Sequence, residues 1–427
     1  APEPGEHTGS IEWPPRQAAS RNTEALPLDG IRVIDCTAWW AGPAATHVLA
    51  CLGADVIKVE STKRPDLMRY TSTQPHTADQ WWEWGPLFHG VNVGKRGVAI
   101  DLSRVEGVAL FEDLLRTADV LVENYTPRVM ADFGLGWDRV HEVTARLIMV
   151  RMPAFGLDGP WRDHPGFAQT VEAITGMASV TGYPDGPPML PRGACDPLAG
   201  MHTVFATLLA LEARRTDGMG RIVECPLVEA ALNVAAEQVI ERDAAGVTLT
   251  REGARSAVAA PQGVYQCAGD DRWVAIAVAD DTQWAALREA AGWEDDPALA
   301  WCEGRRAGHD VLDARLTEWC GERDSEEVAE LLAGAGIPSA VVIAAPDVLH
   351  NPQLRHRGLF ETEDHPVTGR HELPTMPFRF SRVRRWLRRP SPTLGQHNDE
   401  VLKEVRSTKE LASLRAAGIV GERVAGL

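Results

Sequence analysis

The chain has 427 residues and 44% hydrophobic content, enough for a large core and for two domains. Its 43 Lys and Arg against 60 Asp and Glu leave a formal net charge of −17, which argues against nucleic acid or an anionic membrane surface as a general partner. Its seven cysteines form no C-x-x-C pair and no apolar run reaches the roughly 18 residues of a membrane span, so the expectation is a cytoplasmic protein without zinc-ribbon or thioredoxin-type chemistry.

Residues 1–25, rich in Pro, Gly, Ser and charge, read as a mobile tail. "IRVID" (31–35) is a β-branched run that fits a buried strand. In the "AGPAATHVLACLG" that follows, Ala45, Val48, Leu49 and Leu52 share one helix face. Gly53 stops the helix and "ADVIKVE" (54–60) resumes as a strand. Strand, helix and strand within about thirty residues imply a parallel pair. The pattern recurs in the helical "VALFEDLL" and the strand-like "VLVEN" and "RLIMVRM". Residues 26–224 therefore read as a large, doubly wound, Rossmann-like α/β domain.

After residue 224 the texture changes. "GVYQCAGDDRWVAIAVA" is a strand, a tight turn and a strand, followed by helical stretches at 281–291 and 325–335 and the strand-like "IPSAVVI". Residues 225–350 read as a smaller α+β domain, and 351–427 as a C-terminal segment returning to the large one. That segment carries the basic run "SRVRRWLRR" ahead of a Pro-rich stretch.

Several motifs are missing. The first strand-to-helix turn, "CTAWWAGPAAT", has no G-x-G-x-x-G, and the chain lacks G-x-x-x-x-G-K-[ST], H-E-x-x-H and G-x-S-x-G. Dinucleotide oxidoreductases, P-loop enzymes, zinc proteases and α/β-hydrolases lose their main support. No metal or permanently bound cofactor is expected. In "RGACDPLAGMHTVFATLLALEARR", Asp196 precedes Pro197 and a long apolar run, the pattern of a helix cap. Local physics alone explains it that way.

Taken together, "PLDGIRVIDCTAWWAGPAATHVLACLGADVIKVE", "GKRGVAIDLS", "ADVLVENYTPRVMADFGLGWD", "FGLDGP", "GFAQTVEAITG", "TGYPDGPP", "CDPLAGMHTVFATLLALEAR", "PQGVYQCAGDDRW" and "PSPTLGQHNDEVL" resemble the family III coenzyme A transferases. That group includes formyl-CoA and carnitine CoA transferases and α-methylacyl-CoA racemases. The resemblance runs in order from about residue 27 to 403. It implies acyl-CoA and a carboxylic acid as substrates, a large and a small domain, and an interlocked homodimer, with heteromers in some relatives.

In this resemblance Asp196 falls on the catalytic aspartate of a D-x-x-x-G-M helix, where the positive helix end would keep a carboxylate ionised for attack on a thioester. Lys58, Lys95, Arg96, Asn124 and Tyr125 match positions around the CoA nucleotide. Arg128 is the replacement expected for the basic residue that Asp132 displaces. Trp39, Trp40, Trp81 and Trp82 lie in loops near the acyl site, and a wide pocket for a bulky apolar acyl group is set against core or interface packing. Phe167 stands where racemases carry a histidine and Ala168 where many relatives carry an acid, so the two-base exchange of a racemase loses one base. His164 is a weak substitute, and His202 reads as a packed or solvated side chain. Trp40 occupies the place of the formyl-CoA transferase glutamine, which disfavours formyl transfer. The alternatives are an acyl-CoA racemase or epimerase and a non-catalytic partner subunit.

Overall fold

The structure, a computed structural model, describes residues 26–426; the expected tail at 1–25 lies outside them. Six parallel strands form the central sheet: β1 (Arg32–Asp35), β2 (Asp55–Glu60), β3 (Arg96–Ala99), β4 (Val120–Glu123), β5 (Ile148–Arg151) and β6 (Ile222–Glu224). Their order is β3-β2-β1-β4-β5-β6, the doubly wound arrangement expected from the repeated strand–helix units. Two strands, β3 and β6, come from segments whose pattern announces no strand. They are short sheet edges, paired to β2 and β5.

Successive side chains of a strand point to opposite faces, and both faces here are covered. Val33, Val56, Val120, Val122, Ile148 and Val150 face a core shared with the Ala41–Cys51 and Cys195–Asp217 helices. Ile34, Ile57, Val98, Leu121 and Met149 face the other core, with the Val105–Leu115 helix. That second core also takes Val401, Leu402, Leu411, Ile419 and Val420, so the chain end packs on the central sheet. Val420 further bridges Ile100 just beyond β3.

A three-stranded antiparallel sheet, β7 (Gln262–Gln266), β8 (Trp273–Ala277) and β9 (Ser339–Val341), has its own core of Val274, Ile276, Trp284, Leu287, Leu316 and Leu332. A hairpin of β10 (Phe360–His365) and β11 (Gly369–Pro374) follows. All seven cysteines are free, and no described helix is long and apolar enough to cross a membrane.

Candidate active site

In the order β3-β2-β1-β4-β5-β6 the chain reverses direction across the sheet between β1 and β4, which opens a crevice at the carboxyl ends of these strands. A cavity of about 590 Å³ lies there, lined by Ala38 and Trp39 after β1, Lys63 and Arg64 after β2, Asn124 and Tyr125 after β4, and Phe167. Asn124 ties two of these loops together. Its Oδ1 accepts from the Ala38 N–H at 2.8 Å and its Nδ2 donates to the Ala38 carbonyl at 2.7 Å. Burial raises the Tyr125 hydroxyl well above its ordinary range, so this phenol stays protonated. Trp39 sits at φ 65°, its N–H held by Asp66 at 3.0 Å, and meets Phe167 edge-on with ring centroids 5.1 Å apart. Both rings are substantially exposed, at 37% and 50%. Beside them Ala168 is buried, and its carbonyl accepts from the Cys195 thiol at 3.5 Å.

Asp196 lies in the first turn of the Cys195–Asp217 helix, one position inside it. The capping expectation is thereby corrected. Ala194 occupies the cap position, and among the described residues no side chain caps this end and the Asp196 carboxylate meets only the Cys195 thiol, at 3.9 Å. Two glycines let its surroundings close up. A Cβ on Gly193, at φ 96°, would sit 3.1 Å from the Trp40 ring, and one on Gly200 would sit 3.0 Å from the Ala41 carbonyl oxygen. The second contact lets the two long helices pack tightly at the end that carries Asp196.

Glu172 completes the group, and nothing in its local pattern singles it out. It is fully buried; Oε1 accepts the Gly193 N–H at 2.8 Å, and Oε2 meets no donor among the described residues. The Asp196 carboxyl is pushed up to about 6, by burial first and then by the Glu172 charge, against a smaller opposing effect of the Cys195 thiol. Asp196 is still mostly ionised at neutral pH.

The cations expected around a nucleotide need correcting. The Lys58 ammonium is fully buried, 2.9 Å from Asp66 and 2.8 Å from the Thr37 carbonyl. Lys95 is fully buried too, 2.9 Å from Asp35, with Thr46, Asn92 and the Pro43 carbonyl as further acceptors. Burial acts to raise the Asp35 carboxyl, yet Lys95, Lys58 and the Thr37 hydroxyl bring it down to about 2. Arg96 is occupied by Asp55 and Glu400. These three charges brace the sheet and have none to offer a phosphate. Arg128 is exposed and, among the described residues, reaches only Asp132, at 3.4 Å. Lys63 and Arg64, in the loop after β2, are the exposed cations lining the crevice; Lys63 is paired with Asp101 at 2.6 Å, and Arg64 meets no carboxylate at ion-pair distance among the described residues.

Trp81 and Trp82 are corrected as well. Both are buried in a small core with Ala99, Leu394 and Val424, Trp81 stacking on His76 at 4.0 Å and Trp82 lying 5.5 Å beneath Arg423. Packing won there over substrate contact. His164 stacks on Trp161 at 6.1 Å, and His202 is exposed on the helix surface. Among the described residues no group of His, Cys, Asp and Glu could hold a metal ion.

Residues 28–398 match the model of CoA-transferase family III. The chain is 30% identical to succinyl-CoA–D-citramalate CoA-transferase of Chloroflexus aurantiacus, over 92% of this chain and 98% of that one. It is 32% identical to the succinyl-CoA–L-malate CoA-transferase alpha subunit of Chloroflexus aurantiacus, over 95% of each. A crystal structure of a CaiB/BaiF family protein from Brucella suis superposes with a TM-score of 0.81 at 28% identity, covering 90% of this chain and all of that one. With a match running through the sheet, the crevice and the helix of Asp196, the chain belongs to CoA-transferase family III.

Proposed function

We propose that this enzyme moves CoA from an acyl-CoA to a carboxylic acid through covalent intermediates on Asp196. The observation that carries the reading is a half-buried, unpaired carboxylate in a helix first turn, near an open crevice at the sheet's switch point. The Asp196 carboxylate attacks the donor thioester, forming an acyl-aspartyl anhydride and expelling CoA thiolate. The thiolate attacks the aspartyl carbonyl, giving an aspartyl-CoA thioester and releasing the donor acid. The acceptor carboxylate displaces CoA from that thioester, and the returning thiolate attacks the acceptor carbonyl of the new anhydride, restoring Asp196. No electrons are gained or lost. An anhydride hydrolyses, so the aromatic wall of Trp39 and Phe167, with the Trp40 ring against Gly193, has water exclusion as its first task. CoA enters as substrate, with Arg64 facing its phosphates, Lys63 beside it on Asp101, and Asn124 and Tyr125 along the crevice. The test is incubation with acyl-CoAs, then mass spectrometry for a hydroxylamine-sensitive adduct on Asp196; no adduct with any transferable donor refutes the mechanism.

For the acyl group we favour a bulky apolar one, supported by Trp39, Trp40 and Phe167 now that Trp81 and Trp82 are placed in a core. An aromatic ring buries about 150–250 Å², worth several kcal/mol at ~25 cal/mol/Å². Trp40→Ala is expected to raise KM for benzoyl-CoA about tenfold or more and to leave free CoA affinity nearly unchanged. Equal loss of both affinities would assign Trp40 to packing. A short dicarboxylate is the second reading. It rests on the relatives' printed substrates and on Arg192, an exposed residue at φ 64° only four positions before Asp196. Comparing succinyl-CoA with benzoyl-CoA decides between them.

The Glu172 charge gives a further expected result. Glu172→Gln keeps an oxygen for the Gly193 N–H and removes the negative charge, so Asp196 ionises at lower pH. The acid limb of kcat/KM, expected near pH 6 in the native enzyme, then moves downward. An unmoved limb would separate Glu172 from the chemistry.

A homodimer is part of the same reading. Met201, Phe205 and Leu209 form an exposed apolar stripe at four-residue spacing on the Cys195–Asp217 helix, and such a stripe calls for a partner surface. The cytoplasmic reading rests on the seven free cysteines.

A further inference from the structure

The basic run between β11 and the chain end has no part in the reading above. Residues 379–389 contain six arginines in a chain of net charge −17. Two of the six are spent on carboxylates: Arg385 bonds Glu363 at 2.8 Å, and Arg388 lies 3.6 Å from Asp29. Arg379 and Arg384, together with Arg357 from the preceding turn, meet no carboxylate at ion-pair distance among the described residues. All three line a second cavity, of about 450 Å³.

The cavity has an aromatic side. Trp386 is buried beneath it and Phe380, 43% exposed, stands 5.4 Å away, with Phe378 at 5.5 Å from each. One carboxylate, Glu361, also faces the cavity, and it is engaged. Its oxygens accept the Trp386 and Leu387 N–H groups, each at 3.0 Å, with Arg385 at 3.5 Å. This place is far from Asp196 in the fold. Arg388 lies by Asp29, just ahead of β1, and the Arg389 carbonyl accepts from Gly94, just ahead of β3. Those are the amino ends of the strands; the crevice lies at their carboxyl ends.

We propose that this cavity is a nucleotide site separate from the crevice, with Arg357, Arg379 and Arg384 on the phosphates and the base stacked on Phe380. Three free guanidinium groups favour a phosphorylated ligand, since planar forks bind phosphate oxygens in pairs. An exposed ring against a buried indole favours a flat heterocycle, because stacking on an aromatic face suits any base. The volume suits a mononucleotide.

The test is equilibrium dialysis of the full chain against radiolabelled ADP, without and with saturating CoA. One ADP per chain is expected, retained when CoA fills the crevice and weakened by raised salt. The Arg379→Glu/Arg384→Glu double variant is expected to lose about tenfold or more of that affinity, and Phe380→Ser several-fold, with Asp196 adduct formation unchanged. Thermal melting of each variant checks its fold, and the single Arg379→Ala and Arg384→Ala variants replace the double one if it does not fold. Absence of saturable ADP binding, displacement of ADP by CoA, or native affinity in a folded charge-reversed variant would each overturn the proposal. A changed sedimentation coefficient in the double variant with ADP affinity intact would instead make the patch an interface between copies.

Discussion

Asp196→Asn is expected to abolish CoA transfer, lowering the rate at least ~10³-fold, with no hydroxylamine-sensitive adduct remaining. The amide keeps the shape of the side chain but cannot attack a thioester. Stability should not fall, because among the described residues Asp196 caps no backbone N–H and makes no ion pair. Burial and Glu172 raise the folded-state carboxyl to about 6, above its unfolded value near 3.9. That stabilises the native protein at low pH, and the benefit disappears as pH rises through about 6. The neutral variant has no such dependence. Its melting temperature at pH 7.5 should therefore equal or exceed that of the native enzyme, with the advantage shrinking below pH 5. A variant that melts earlier at pH 7.5 would show that the carboxylate holds the helix after all; retained transfer in a folded variant would sink the mechanism.

Lys95→Met is expected to give the largest loss of stability. It removes the ammonium that neutralises Asp35 in a site with no exposure and strips Thr46, Asn92 and the Pro43 carbonyl of their shared donor. Breaking one side of a buried pair costs about 3–5 kcal/mol, because the surviving charge stays in low dielectric. In a chain of this size the melting temperature should fall by about 5 °C. Adding Asp35→Leu should restore part of the loss by removing the stranded carboxylate, a coupling that a double-mutant cycle measures. CoA affinity of the folded fraction should stay within about twofold, since this ammonium faces inward. Lost CoA affinity with unchanged melting would return Lys95 to the nucleotide.

Much of the fold could be read directly from local pattern. "IRVID", "ADVIKVE", "VLVEN" and "RLIMVRM" each became a strand of the central sheet, because a run buried on both faces must be apolar on both. The Ala41–Cys51 and Val105–Leu115 helices followed from apolar spacing in the same way. Order and spacing of motifs were enough for the family. Local pattern also separated the 263–279 hairpin from the parallel strands.

Tertiary structure decided which charges are free and which aromatics face a cavity. A lysine reads the same in sequence whether it points to solvent or to Asp35, sixty residues away, and only folding shows that Lys58 and Lys95 are buried and consumed while Arg64 stays exposed in the crevice. Trp81 and Trp82 pack against Leu394 and Val424, more than three hundred residues later, a contact no local pattern records. Glu172 reads as an ordinary helical glutamate until the Gly193 N–H and the Asp196 carboxylate are brought to it. Backbone preference and apolar spacing act over a few residues, and a sequence displays them directly. Desolvation and ion pairing act across space between residues distant in the chain, and they take their sign from the folded surroundings.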